Sequence, residues 1–263
     1  MTTRFNASVL TQPRWIAAVV VGVLLSLVFV RLGIWQLDRL EERRTENRLI
    51  EARLAEPSRP LVGILGQSGD DVEAIVHRRA TAVGEFRKDA EFYSIGRTYG
   101  TLTGTLVATP FDLEDGSVLI VVRGLVPPGT PGPPAEEYEP ESGRMVIEGV
   151  LLAGEQPTAI GEPDSEGAPL VSLSRLDLVH IDEYVEGDVL PVSMVLRHTS
   201  VPNPNETPVA IPERVLTEGR HLGYAVQWFG FALIVAFGVG TLVYRAGSSE
   251  AVTETDSDRT PLP

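Results

Sequence analysis

LGYAVQWFGFALIVAFGVGTLVY (222–244) carries no charged residue. As an α-helix rising 1.5 Å per residue it reaches about 34 Å, slightly more than the ~30 Å hydrocarbon core of a bilayer. Tyr224 and Tyr244 stand near its two ends, where side chains with an apolar body and a polar tip collect at membrane–water interfaces, and Arg245 closes it. A matching stretch lies near the other end of the chain: WIAAVVVGVLLSLVFVRLGIW (15–35). Ile16–Val30 is uncharged, Trp15 and Trp35 mark its borders, and Arg31 is close enough to one border to snorkel. No small-residue cleavage site follows Val30, so the stretch is read as a retained anchor rather than a removed signal peptide.

Two spans place both termini on one side of a membrane. Charge does not say which side. Arg4, Arg14 and Arg245 mark the terminal side, while Arg31, Arg39, Arg43 and Arg44 crowd the other, and the positive-inside bias weakens for long loops. Small residues at four-residue steps, Ala18, Gly22 and Ser26, predict a contact face on the first span. Gly223, Gln227, Gly230 and Ile234 predict its counterpart on the second. Beyond Trp35, QLDRLEERRTENRLIEARL (36–54) mixes opposite charges at helical spacing and extends the first helix, until Pro57 and Pro60 stop it. The tail after Tyr244 is acidic and small-residue-rich, a composition that predicts disorder. The expected division is therefore an N-terminus over 1–14, spans over 15–35 and 221–244, a helical extension over 36–57, a domain over 58–214, and a tail over 245–263.

Composition narrows the function classes. The chain has 36 acidic and 22 basic residues, a formal charge of −14, and no cysteine. Without a basic stripe, nucleic acid is not an expected partner. Without cysteine there is no disulfide, thiolate metal site or thiol nucleophile. His77, His180 and His198 lie on separate predicted elements with no second ligand at metal-binding spacing. No zinc-protease, nucleophile-elbow or P-loop motif is present; the glycines of GRTYGTLTG (96–104) lack the strand-then-helix context that phosphate binding needs. An enzyme is not expected.

The segment between the spans reads as strands and turns. ATAVGEF (80–86), TGTLVATPF (103–111), SVLIVVRGLV (117–126), MVIEGVLLAG (145–154) and VLPVSMVLRH (189–198) are apolar runs bounded by turn residues, with Asp115-Gly116 as a hairpin signal. SLSRLDLVHIDEYV (172–185) has helical spacing. PPGTPGPPAEEYEPESG (127–143) and VPNPNETPVAIPE (201–213) are loops by composition. The fold class is thus two antiparallel transmembrane helices flanking one mainly-β domain, a small barrel or sandwich of α+β type, with the side of the membrane left open by the residues themselves.

The chemistry-bearing residues gather where spans meet domain. His221 opens the second span, with Tyr224 and Trp228 one and two turns along. Trp35, Gln36 and Arg39 close the first, and Arg220 precedes His221. Antiparallel spans bring both groups to one interface. A neutral imidazole such as that of His221 can ligate haem iron, and arginines can pair with propionates. An aromatic belt with a capping histidine and snorkelling arginines accounts for the same residues.

LGIWQLDRLEERR (32–44) and HLGYAVQWFGFALI (221–234) resemble the two signature segments of the SURF1 family of cytochrome c oxidase assembly proteins. TLVATPFDLEDGSVLIVVRGLVP (105–127) and IEGVLLAGEQP (147–157) resemble internal segments of that family, in the same order. The glutamate- and arginine-rich run after Arg39, and the Pro/Gly-rich loop after Arg123-Gly124, depart from its pattern. The resemblance implies a multi-pass protein of the bacterial plasma membrane, with cytoplasmic termini and the domain outside. It implies a role in building aa3-type oxidase at the stage where haem a enters the catalytic subunit, with haem a held transiently and the histidine matching His221 as the candidate axial ligand of its iron. The alternative implied is an accessory subunit that stays on the oxidase, or on a larger respiratory supercomplex, without holding haem. The expected partners are oxidase subunits and the lipid bilayer.

Overall fold

The computed structural model describes residues 8, 11–69, 71–134, 136–155, 170–201, 208–213 and 215–257. Expectations that touch 156–169, 202–207 or the outermost residues of either terminus, including Gln156 and Pro157 of the fourth family segment, lie outside the described residues. In chain order the elements are α1 (Pro13–Ala55), β1 (Arg59–Pro60), α2 (Leu61–Ser68), α3 (Val72–Ile75), β2 (Arg79–Phe86), β3 (Phe92–Tyr99), β4 (Leu102–Leu113), β5 (Ser117–Val126), β6 (Met145–Ala153), β7 (Ser172–Leu173), α4 (Leu178–Asp182), β8 (Asp188–Thr199) and α5 (His221–Ser257). They form two compact units, Met1–Arg48 with Leu216–Pro263, and Leu49–Val215.

The first unit is a helix pair. Both helices are long and apolar enough to cross a membrane. Val20, Leu24, Leu27, Val226, Leu233 and Ile234 are each at least half exposed, an apolar girdle far larger than a water-facing surface ordinarily carries. Contacts run antiparallel: Gly22 against Val239 and Gly33 against the Phe229 ring, Ser26 Oγ donating to the Ala232 carbonyl at 3.3 Å, and Phe29 stacked on Trp228 at 5.7 Å. Charged residues extend the seam, with Arg44 donating to both oxygens of Glu218 at 2.8 and 2.9 Å. That bond lifts the Arg44 guanidinium above its ordinary value and holds the Glu218 carboxyl below its own.

The predicted face of α1 is correct and that of α5 is not. Gly22 is buried, but a Cβ on Gly223 or Gly230 would meet nothing within 4 Å, and Ile234 is 67% exposed. The contact face of α5 carries Ala225, Trp228, Ala232, Val239 and Val243. Ala225 and Ala232 are the small residues that let the helices approach, while the glycines face outward. The helix also continues to Ser257, where composition predicts disorder. No glycine or proline interrupts 248–257, and extending a formed helix costs far less than starting one.

The second unit is a mixed sheet with the strand order β1-β2-β6-β8-β5-β4-β3-β7, in which β2 also pairs with β4. That extra pairing joins Gly84 to Leu113 and Phe86 to Phe111 and closes β2, β6, β8, β5 and β4 into a barrel, one of the two forms the strand pattern allows. Closure needs Gly84: a Cβ there would lie 2.1 Å from the Asp112 carbonyl oxygen. Arg87 fastens the same corner, its N–H donating to the Pro110 carbonyl at 2.9 Å and its side chain pairing with Asp112.

Alternation along the strands sorts two cores. Ala80, Ala82, Phe86, Phe111, Leu119, Val121, Ile147, Leu151 and Met194 fill one, under Leu61 and Ile64 of α2. Phe92, Leu106, Val118, Ile120 and Val122 face the other, covered by Leu173, Leu178 and Ile181. β5 is buried on both faces, which explains its unbroken apolar run. All five predicted strands form. β3 is the strand the sequence does not announce. The helix expected over 172–185 shrinks to α4, because Ser172–Leu173 pairs with β3 instead.

Candidate functional site

His221 is the first residue of α5. The turn before it leaves the ring room: Gly219 has a φ of +70°, and a Cβ there would lie 3.3 Å from the imidazole. Across the helix pair, Gln36 lies on the inward stripe of α1 with Gly22, Gly33 and Leu40. It is 9% exposed, and its Oε1 is 2.9 Å from His221 Nδ1. This is the polar contact that joins the two signature segments. His221, Trp35, Arg39, Glu42, Arg43 and Glu46 line one recess, with the Arg39 guanidinium 6.0 Å from the centre of the Trp35 indole.

The other sequence candidates are placed differently. Trp228 is engaged inside the helix pair, stacked on Phe29 and edge-on to Phe231 at 5.8 Å. Tyr224 is 46% exposed and does not line the recess. Arg220 is exposed on the turn before α5. The structure therefore gathers His221, Gln36, Trp35 and Arg39, and leaves Tyr224, Trp228 and Arg220 beside them.

The recess suits a flat, anionic, metal-bearing ligand in part. The imidazole has one nitrogen against Gln36 and no hydrogen bond to the other among the described residues, and the 43% exposed Trp35 offers an indole face. The guanidiniums are already paired, Arg39 with Glu42 at 2.6 Å and Arg43 with Glu46 at 2.9 Å. Incoming carboxylates would exchange with those glutamates or use Arg220. His221 would hold the iron of a haem, Trp35 would stack on the macrocycle, and Arg39 and Arg220 would meet its propionates. No group of three or more histidine or acidic side chains suited to a bare metal ion occurs among the described residues.

The family profile of SURF1 matches residues 23–233, from the middle of α1 to the middle of α5. The chain belongs to the SURF1 family. The match takes in the whole barrel and every residue of the recess. An uncharacterised SURF1-like protein of Mycobacterium bovis is 25% identical over 240 residues, covering 89% of this chain and 85% of its own length. SURF1-like proteins of Rickettsia conorii and Monosiga brevicollis are 25% and 26% identical, over 83% and 77% of this chain and 87% and 78% of their own lengths.

Sequence reasoning missed a second polar cluster, in the barrel unit. Arg123 and Glu91 form an ion pair at 2.7 Å with side chains 3% and 1% exposed. Arg123 also donates to Thr109 Oγ1 at 3.0 Å and to the Tyr138 carbonyl at 2.6 Å. Burial draws the guanidinium below its ordinary value, against the opposing pull of Glu91; it remains charged. Nearby, burial and then Glu91 push the Tyr93 phenol up to about 12, and it donates to the Pro131 carbonyl at 3.0 Å. Two buried side chains thus pin the Pro/Gly-rich segment 127–143 to the sheet. The signal available was a charge inside an apolar strand, which demands a partner.

Proposed function

We propose that this SURF1-family chain is an assembly factor for aa3-type cytochrome c oxidase. It is anchored in a bacterial plasma membrane by α1 and α5, with the termini in the cytoplasm and the barrel outside. It holds haem a transiently while the catalytic subunit receives it. The observation that carries this reading is the placement of His221. An imidazole opens an uncharged span, and beside it lie an exposed indole and guanidiniums at the level where a haem's polar edge would leave the lipid. The haem supplies redox-active iron to the oxidase; the chain itself binds, orients and releases. The recess keeps the ligating ring at the polar boundary, and the exposed apolar flanks of α1 and α5 leave a lipophilic tail in contact with lipid. The role is carriage, not catalysis.

Full-length protein co-expressed with the haem a synthesis enzymes should purify with haem absorbance. His221→Ala should still insert, because the hydrophobicity of α5 rather than the imidazole at its end drives insertion, and should lose that absorbance. Arg39→Ala and Arg220→Ala should retain less haem without abolishing it. Haem-free wild type, or fully loaded His221→Ala, contradicts the proposal.

One observation favours the second reading, a resident accessory subunit without haem. Arg39 and Arg43 are already neutralised by Glu42 and Glu46, so the recess is electrically satisfied without a ligand. Stoichiometric retention of haem-free chain in purified active oxidase would select that reading.

A further inference from the structure

We infer that Gln36 is a positioning residue: it fixes the tautomer of His221 and so decides which ring nitrogen is available to a metal. The inference rests on the reading of His221 as the iron ligand, and it concerns a residue that need not touch the ligand.

A neutral imidazole carries one hydrogen, and the nitrogen without it is the one that can ligate. Gln36 Oε1 lies 2.9 Å from His221 Nδ1. An amide oxygen only accepts, so in this arrangement Nδ1 is the donor and the lone pair is on Nε2. A solvated imidazole prefers the opposite tautomer, with its hydrogen on Nε2, and would need to shift that proton before binding metal through Nε2. Gln36 removes the need. A hydrogen-bond acceptor on the far nitrogen also orients the ring and raises its basicity toward the metal, which is the role such partners play beside ligating histidines.

The position of Gln36 fits this role better than a packing one. It is buried on the stripe of α1 that presents Gly22 and Gly33 to α5 and also carries the buried Leu40. A buried amide there has to be satisfied, since a polar group left unpaired costs more than an apolar side chain of the same shape. Among the described residues His221 is its one hydrogen-bond partner. A Cβ at Gly219 would lie 3.3 Å from Cδ2 and 3.4 Å from Nε2 of the ring, so a glycine there leaves the Nε2 edge clear, and among the described residues Nε2 has no hydrogen-bond partner.

The experiment is nitrogen-15 NMR of the ring in full-length, ligand-free protein in nanodiscs. The pH is set where the imidazole is neutral, and the signal is assigned by its loss in His221→Ala. Wild type should show a protonated Nδ1 and an unprotonated Nε2. Gln36→Glu, which keeps an acceptor, should preserve that pattern. Gln36→Met, which keeps the volume and removes the acceptor, should move the proton to Nε2. Affinity for ferric protoporphyrin IX as a probe should fall by about 10- to 100-fold in Gln36→Met and recover toward wild type in Gln36→Glu. Wild type protonated on Nε2, or an unchanged tautomer in Gln36→Met, overturns the inference. Failure of the haem reading looks different: wild type has the Nδ1–H tautomer, and Gln36→Met loses it, but neither binds the porphyrin. Unfolding of Gln36→Met does not shelter the inference, because the Gln36→Glu and wild-type spectra still have to agree.

Discussion

Arg123 carries its charge into the barrel unit, where 3% of its side chain is exposed and Glu91 is its counterion. Such a pair gains little over an apolar substitute of the same volume, yet losing one partner strands the other in a medium that cannot solvate it. Arg123→Met and Glu91→Gln should therefore each destabilise the protein by about 3–5 kcal/mol. The Arg123→Met/Glu91→Leu double variant should lose less than the sum. Urea unfolding of detergent-solubilised protein, followed by tryptophan-independent far-UV signal, measures all three. Strict additivity would mean that the two charges do not depend on each other. Glu155 gives a pH dependence. Burial pushes its carboxyl up, but the bonds from Arg97 and the Leu176 N–H outweigh burial and leave it below its ordinary value. A carboxyl depressed in the fold adds stability above its unfolded pKa of about 4.3, lost as pH falls through the lower folded value. Stability should thus drop on acidification below about pH 4.3, and Glu155→Gln should be less stable at neutral pH but flatter across that window. Parallel acid profiles of the two proteins would remove Glu155 from the account.

At the scale of elements, the helix pair separates what a sequence reveals from what packing decides. The existence of two long apolar helices is legible because hydrophobicity over some twenty residues needs no partner to be read. The face of α5 was not, because both of its sides carry small residues: Gly223 and Gly230 on one, Ala225 and Ala232 on the other. Bulkier neighbours choose between them, with Trp228 finding Phe29 and Phe229 closing over Gly33. β3 stayed hidden for a different reason. Its register shifts between Ser94 and Arg97, with Gly96 at a φ of +71°, so FYSIGRTY never shows the two-residue period of a strand. The Arg123–Glu91 pair spans 32 residues, a separation no spacing rule links. In the recess, His221, Trp35, Gln36 and Arg39 were legible as a set because they border the adjoining ends of the two apolar stretches; the Gln36–His221 bond was not, since it depends on the inward stripe. The corrected packing makes a prediction. A leucine at Gly22 or Gly33 should weaken the pair, on the order of 1 kcal/mol per lost contact in a membrane, with Gly33→Leu worse because a rigid ring opposes it. Gly230→Leu should behave as wild type. Cross-linking yield between cysteines placed at Ser26 and Ala232 reads the effect; equal loss at all three glycines would refute the assigned face.

For the whole molecule, the proposed function asks one chain to supply both a membrane anchor that carries His221 and a barrel on the outer side. Orientation is the part that charge left open, and it is directly testable because the chain has no cysteine. Ser142→Cys, on the exposed segment before β6, should react with an impermeant maleimide on intact cells; labelling only after lysis would place the barrel inside. The central claim is that the chain acts on haem a before it reaches the catalytic subunit. The most direct measurement is haem a per catalytic subunit in membranes of cells lacking this chain, supplied with wild type or His221→Ala. The account predicts a haem-poor catalytic subunit without the chain, restored by wild type and not by His221→Ala. A catalytic subunit that carries its full haem a without the chain would contradict it.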